Sequence, residues 1–251
     1  MLTWMIDDYV DLTDPQEDWV RGRVARTMEW HRTQELPKYR RFLESVLAKS
    51  EKAFTAEDVG AHQKELRAHY LRFAEQLVPD IAEFLGNVDA EQAGQLERKF
   101  ADANAKFTRE SLRGSPDERR NKRMGRLVDH LESWVGPLAG EQRDLVATYY
   151  RTAPDFSEEM LGERRFRQGE ILALVRAKKP REAMAVELRR LLVDTDSWRR
   201  PEYLQKLRAR DQKTFELFAA LSATLSTEQR AELQKRIRGF MRDITTLTAS
   251  N

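Results

Sequence analysis

Apolar residues recur along this chain at steps of three and four and almost nowhere at steps of two. Val20, Val24, Met28, His31, Glu35, Tyr39, Phe42 and Val46 fall on one helical stripe about 100° wide. Six of these can line a core, while His31 and Glu35 interrupt the stripe one turn apart. Near the C-terminus Leu233, Ile237, Phe240, Ile244 and Leu247 form a second such face. No β-branched run alternates with polar residues. The pattern predicts an all-α protein, an elongated or bundle-like array of about nine to ten helices with short capped loops.

Caps and stops mark the boundaries. A first long helix is expected from Thr13, with Asp14, Pro15 and Gln16 in its opening turn, towards Lys49. Pro37 should kink it, because its ring removes the bond to the Thr33 carbonyl. A second helix is expected over 55–78, a short one over 79–85, and a fourth from Asp89 to Arg113. Ser115 opens the next, which ends before Gly136 and Pro137. Further helices are expected over 140–151, 157–178, 180–192, 201–222 and 226–246.

A short box repeats at several of these starts. Leu12-Thr13-Asp14-Pro15-Gln16 returns as Val88-Asp89-Ala90-Glu91-Gln92, Leu138-Ala139-Gly140-Glu141-Gln142 and Leu225-Ser226-Thr227-Glu228-Gln229. Chemically it is a capping box: Thr13, Asp89 or Ser226 accepts from the amide three residues on, and the glutamine reaches back to the cap amide. The intervals are uneven, so this is no solenoid of fixed period. The expectation is one helical unit over 1–251, with two related halves, 12–135 and 138–246.

Composition narrows the functional classes. Lys and Arg total 44 against 42 Asp and Glu, for a net charge of +2, so no global field points to nucleic acid. The absence of cysteine removes disulfides, thiolate catalysis and the common zinc frameworks. Charged residues make up 34% of the chain, which implies many solvated helical faces. The apolar opening, Met1 to Ile6, ends at Asp7 and Asp8, short of a membrane span and without the basic start of a signal peptide.

Candidate chemistry is sparse. Trp30, His31, Arg32, Glu35, Leu36 and Pro37 place ionisable groups where a helix should bury apolar ones, which reads as a satisfied polar network around the kink rather than a catalytic pair. No nucleophile or second base accompanies them, and no catalytic residue is assigned. His62 and His69 share a helix face, but two ligands make no metal site, and neither metal nor cofactor is expected. Arg119, Arg120, Lys122, Arg123 and Arg126 form the densest basic face. Acidic neighbours and the lack of interleaved aromatics favour salt bridging over nucleic-acid binding. Trp19 and Trp30 are expected to pack between helices rather than to form a sugar platform.

Two resemblances add to this. The Leu-Thr-x-x-Gln pattern of Leu12 to Gln16, nearly repeated at Leu225 to Gln229, resembles the signature of Spy-type periplasmic chaperones. The segments Asp8-Tyr9-Val10-Asp11-Leu12-Thr13, Trp30-His31-Arg32 with Glu35-Leu36-Pro37, and Trp134-Val135-Gly136-Pro137-Leu138 resemble an uncharacterised family of proteobacterial lipoproteins, a domain of unknown function. That likeness implies a signal peptide and a lipidated cysteine upstream, hence outer-membrane anchoring in a full-length form. The expected function is a non-enzymatic, periplasmic helical protein that binds other proteins, with Spy-like, ATP-independent chaperoning as the concrete version. The alternative is a cytoplasmic helical regulator or nucleic-acid binder using the basic face.

Overall fold

The computed structural model describes the backbone of residues 2–249 and the side chains of residues 4–249. Among them there is no strand. Eleven α-helices form: α1 Leu2–Val10, α2 Asp14–Trp30, α3 Leu36–Lys49, α4 Ala56–Gly86, α5 Ala90–Ser111, α6 Pro116–Val135, α7 Gly140–Thr152, α8 Ser157–Ala177, α9 Arg181–Leu192, α10 Pro201–Ala223 and α11 Thr227–Ala249. A π turn, His31–Glu35, joins α2 to α3 end to end, and a 3-10 turn, Thr195–Ser197, precedes α10.

Three local outcomes differ from the sequence reading. The helix α1 was not expected, because no cap announces it. It stops at Asp11, whose backbone lies in the left-handed region at φ 53°, a conformation that Asp tolerates better than most residues. Secondly, the break expected at Pro37 falls in the turn before it. Pro37 sits in the first turn of α3, where a missing N–H costs least, and the widened π turn accommodates the lost bond and the ring. Thirdly, α4 runs unbroken through Pro79. Ala74, Val78, Ala82 and Leu85 continue one buried face across that proline, and their burial outweighs the lost hydrogen bond.

The chain divides into two compact units that interleave along the sequence. Unit 1 comprises Met1–His31, Tyr70–Arg113 and Phe156–Pro201; unit 2 comprises Arg32–His69, Gly114–Asp155 and Glu202–Asn251. Neither unit corresponds to residues 12–135 or 138–246, because each unit draws on three separate stretches of the chain.

In unit 1, α5 packs on α8 and on α1, and α1 also packs on α2. Its core is built from Val78, Ala82, Leu85, Leu174, Val175, Met184, Leu188 and Leu191, with Val10, Leu96 and Leu172 in a second cluster. In unit 2, α11 packs against α3 and α6, and α6 against α7. Its core comprises Val128, Leu131, Val135, Leu138, Val146, Leu217 and Leu221.

Candidate functional site

The repeated boxes meet in pairs. In unit 1, Gln16 Nε2 donates to Gln92 Oε1 at 3.1 Å, and Gln92 Nε2 donates to Gln16 Oε1 at 2.6 Å. In unit 2, Gln142 and Gln229 exchange the same bonds at 2.8 and 3.0 Å. Each Oε1 also accepts its own cap amide, from Thr13, Asp89, Ala139 and Ser226 at 2.9–3.1 Å.

The second proton of each amide goes to a carbonyl two residues before the partner's cap. Gln16 donates to Asn87 O, Gln92 to Asp11 O, Gln142 to Thr224 O and Gln229 to Pro137 O. All four hydrogen-bonding positions of each amide are thereby used. Gly136, at φ 81°, ends α6 and begins the turn that presents Pro137 O.

Each glutamine thus reaches back to its own cap amide and also bonds across to a second box. Asp89 and Ser226 accept from the amides of Gln92 and Gln229 as expected, whereas the Thr13 hydroxyl donates to Gln16 Oε1. The apolar residue before each cap packs into a core: Val88 and Leu138 are buried, Leu225 packs against the cluster of Leu138, and Leu12 packs against the cluster of Val10, Leu96 and Leu172.

The stripe of α2 and α3 divides at the unit boundary. In unit 1, Trp30 lies 6.4 Å from the Phe73 ring, and His31 meets that ring edge-on at 5.7 Å. Trp19 stacks on Phe84 at 6.1 Å and donates to Glu83, so both tryptophans pack between helices. Met28, expected inside, is 40% exposed, and Thr27 takes the buried position.

In unit 2, Glu35 is fully buried. One carboxylate oxygen lies 2.5 Å from Lys38 Nζ and the other 3.3 Å from His69 Nδ1. Tyr39 meets the His69 ring edge-on at 4.6 Å. Leu36 is buried beside this group, and Arg32 and Pro37 are half-buried. A carboxylate–imidazole pair can pass a proton, but His69 is only 4% exposed and neither group lines either of the two cavities described below. The arrangement compensates a buried charge next to the π turn. The in-stripe Glu35 was visible in the sequence; its partners Lys38 and His69 were not.

His62, the other α4 histidine of the shared face, lies between the rings of Phe42 and Phe54, 5.7 Å from each. Burial pushes its imidazole below the ordinary value and the Lys49 ammonium adds to this, while Asp58 and Glu65 oppose. No group of three or more His, Cys, Asp or Glu among the described residues is arranged to hold a metal.

The basic face on α6 is held by carboxylates. Arg123 pairs with Asp155 at 2.9 Å, Arg119 lies 3.9 Å from the same group, and Arg120 pairs with Asp117 at 2.9 Å. Lys122 and Arg126 are exposed. Burial raises the nearby Tyr150 phenol, with Tyr149 adding to the effect.

Each unit also contains an apolar cavity that sequence reasoning did not foresee. In unit 1 a space of about 610 Å³ lies between α2 and α4, with Trp19, Val20 and Val24 facing Leu77, Ile81 and Phe84. In unit 2 a space of about 370 Å³ is lined by Phe42, His62, Leu66, Trp134, Phe218 and Ile237, among others. Both volumes fall in the range of small-molecule sites.

The fold and these features define an all-α protein in which two glutamine pairs lock four helix starts and each unit holds an apolar cavity. The chain belongs to a family of unknown function, DUF6279, whose model matches residues 8–204. Among curated proteins and among solved structures, none matches the chain.

Proposed function

We propose that this is a non-enzymatic cell-envelope protein that binds other proteins, and that it acts as an ATP-independent holdase for unfolded clients. The observation that carries the reading is the exposed edge of α11. Phe240 and Leu247, 42% and 53% exposed, stand two turns apart on one face of α11, and Arg236 lies on that same face one turn before Phe240. An unfolded chain presents apolar segments with interspersed charge. Arginine draws it in over long range, and apolar contact holds it.

Similar side chains stand exposed in unit 1, including Trp4, Met5, Tyr70 and Phe166. The resemblance of the glutamine boxes to Spy-type chaperones supports the holdase reading. The resemblance of the Trp30–Pro37 segment to proteobacterial lipoproteins supports a periplasmic setting with a lipid anchor attached upstream. Among the described residues no helix is long and apolar enough to cross a membrane. The ion-paired α6 face does not favour a nucleic-acid partner.

Light scattering of a chemically denatured client diluted into buffer tests the reading. Equimolar protein should suppress aggregation without ATP, and added salt should slow capture more than release. No suppression at severalfold excess of folded protein contradicts it.

A further inference from the structure

The unit 1 cavity carries an inference independent of client binding. Its walls come from α1, α2, α4, α5, α8 and α9, and beyond aromatic residues only Arg23, Thr27 and Asp80 bring polar side chains to them. Arg23 and Asp80 lie 3.3 Å apart, and the indole N–H of Trp19 is bound to Glu83. The walls therefore offer few polar partners to a ligand. A peptide backbone inserted there would leave its amides and carbonyls unsatisfied, at a penalty for each group. A hydrocarbon chain brings no such groups.

The size is also suited to one chain. At about 30 Å³ per methylene, close to the share of a water molecule in the liquid, a cavity of about 610 Å³ admits roughly fifteen to twenty carbons. Met5, Tyr9 and Met28 line it and are exposed, so the apolar surface continues to solvent.

The rim supplies a charge. Arg23 bridges Asp80 and Glu83, Arg26 lies 3.5 Å from Asp80, and Arg181 lies 3.1 Å from Glu83. Three guanidinium groups face two carboxylates, which leaves one positive charge in excess. The side chains of Arg26 and Arg181 are 59% and 50% exposed, so that excess is accessible. We propose that this cavity binds a single-chain amphiphile with an anionic head, the acyl tail lying between α2 and α4 and the head held at the Arg23, Arg26 and Arg181 rim.

Displacement of fluorescent cis-parinarate from the full chain tests this. Palmitate and a C16 lysophosphatidylglycerol form the two anionic arms, which distinguish a free fatty acid from a lysolipid. Hexadecyltrimethylammonium forms the cationic arm, and an apolar peptide the fourth. One parinarate per chain should be displaced at this site by at least one anionic ligand, and more weakly by the cation.

Val24→Trp fills the cavity from α2 and should weaken anionic binding roughly tenfold or more. Val46→Trp, in the unit 2 cavity, should leave it unchanged. Arg26→Gln should reduce the preference for anionic over cationic heads. Thermal melts by circular dichroism verify that each variant is folded. The proposal is overturned if neither anionic ligand displaces the probe or if folded Val24→Trp binds like wild type. It also fails if the cation competes as well as palmitate, or if the peptide displaces the probe as effectively. None of these outcomes bears on aggregation suppression, so the two readings fail separately.

Discussion

Gln142 and Gln229 exchange side-chain amide bonds across 87 residues of sequence, and each also holds the cap amide that opens its own helix. One pair of side chains thus sets two helix starts and fixes them against each other. Gln16 and Gln92 perform the same task in unit 1.

This arrangement predicts strong coupling. Gln142 is 1% exposed, so Gln142→Ala leaves the Ala139 amide and half of the Gln229 amide without partners. The loss should be about 1–3 kcal/mol. In a double-mutant cycle by urea unfolding, Gln142→Ala and Gln229→Ala should show a coupling of about 0.5–3 kcal/mol. Additive effects would mean that the two amides act only as separate caps.

The buried carboxylate gives a second prediction. Glu35→Ala removes a fully buried carboxyl that holds Lys38 and His69, and should cost about 3–5 kcal/mol. Glu44→Ala breaks an exposed i,i+4 pair with Arg40 and should cost no more than about 0.5 kcal/mol. His31→Ala, at a half-buried ring contact, should fall between them. Equal unfolding midpoints for the Glu35 and Glu44 variants would contradict the charge-compensation account.

His62 predicts a pH dependence. Its folded-state value lies below the ordinary 6.5, so as pH falls the unfolded chain takes up the proton first. Its contribution to stability is complete above 6.5 and is lost as pH drops from there towards the folded-state value. Between about pH 7.5 and about pH 5.5, His62→Gln should flatten part of the decline in unfolding midpoint seen for wild type. An unchanged decline would show that the imidazole is not depressed.

Much of the helix layout was legible because caps are local. Ser115 with Glu118, and Asp89 with Gln92, satisfy amides three residues away, within reach of any short reading frame. Helix α1 lacks such a cap, and Pro79 mimics a stop where a buried face continues. The sites were harder to read. A capping box explains each glutamine alone, so nothing in one box points to its partner 76 or 87 residues away. Glu35 stood out as polar on an apolar stripe, yet His69 joins it only through the packing of α4 on α3. The cavities depend on spacing between helices, which periodicity does not encode.

The central claim is that exposed apolar groups beside an arginine on α11 hold unfolded clients. The most direct measurement compares wild type with the double variant Phe240→Ser, Leu247→Ser in suppressing light scattering by a denatured client, with melts confirming that both are folded. The account predicts that wild type suppresses aggregation near equimolar ratio and that the variant loses most of that effect. Equal suppression by the two, or none by wild type at severalfold excess, would contradict it.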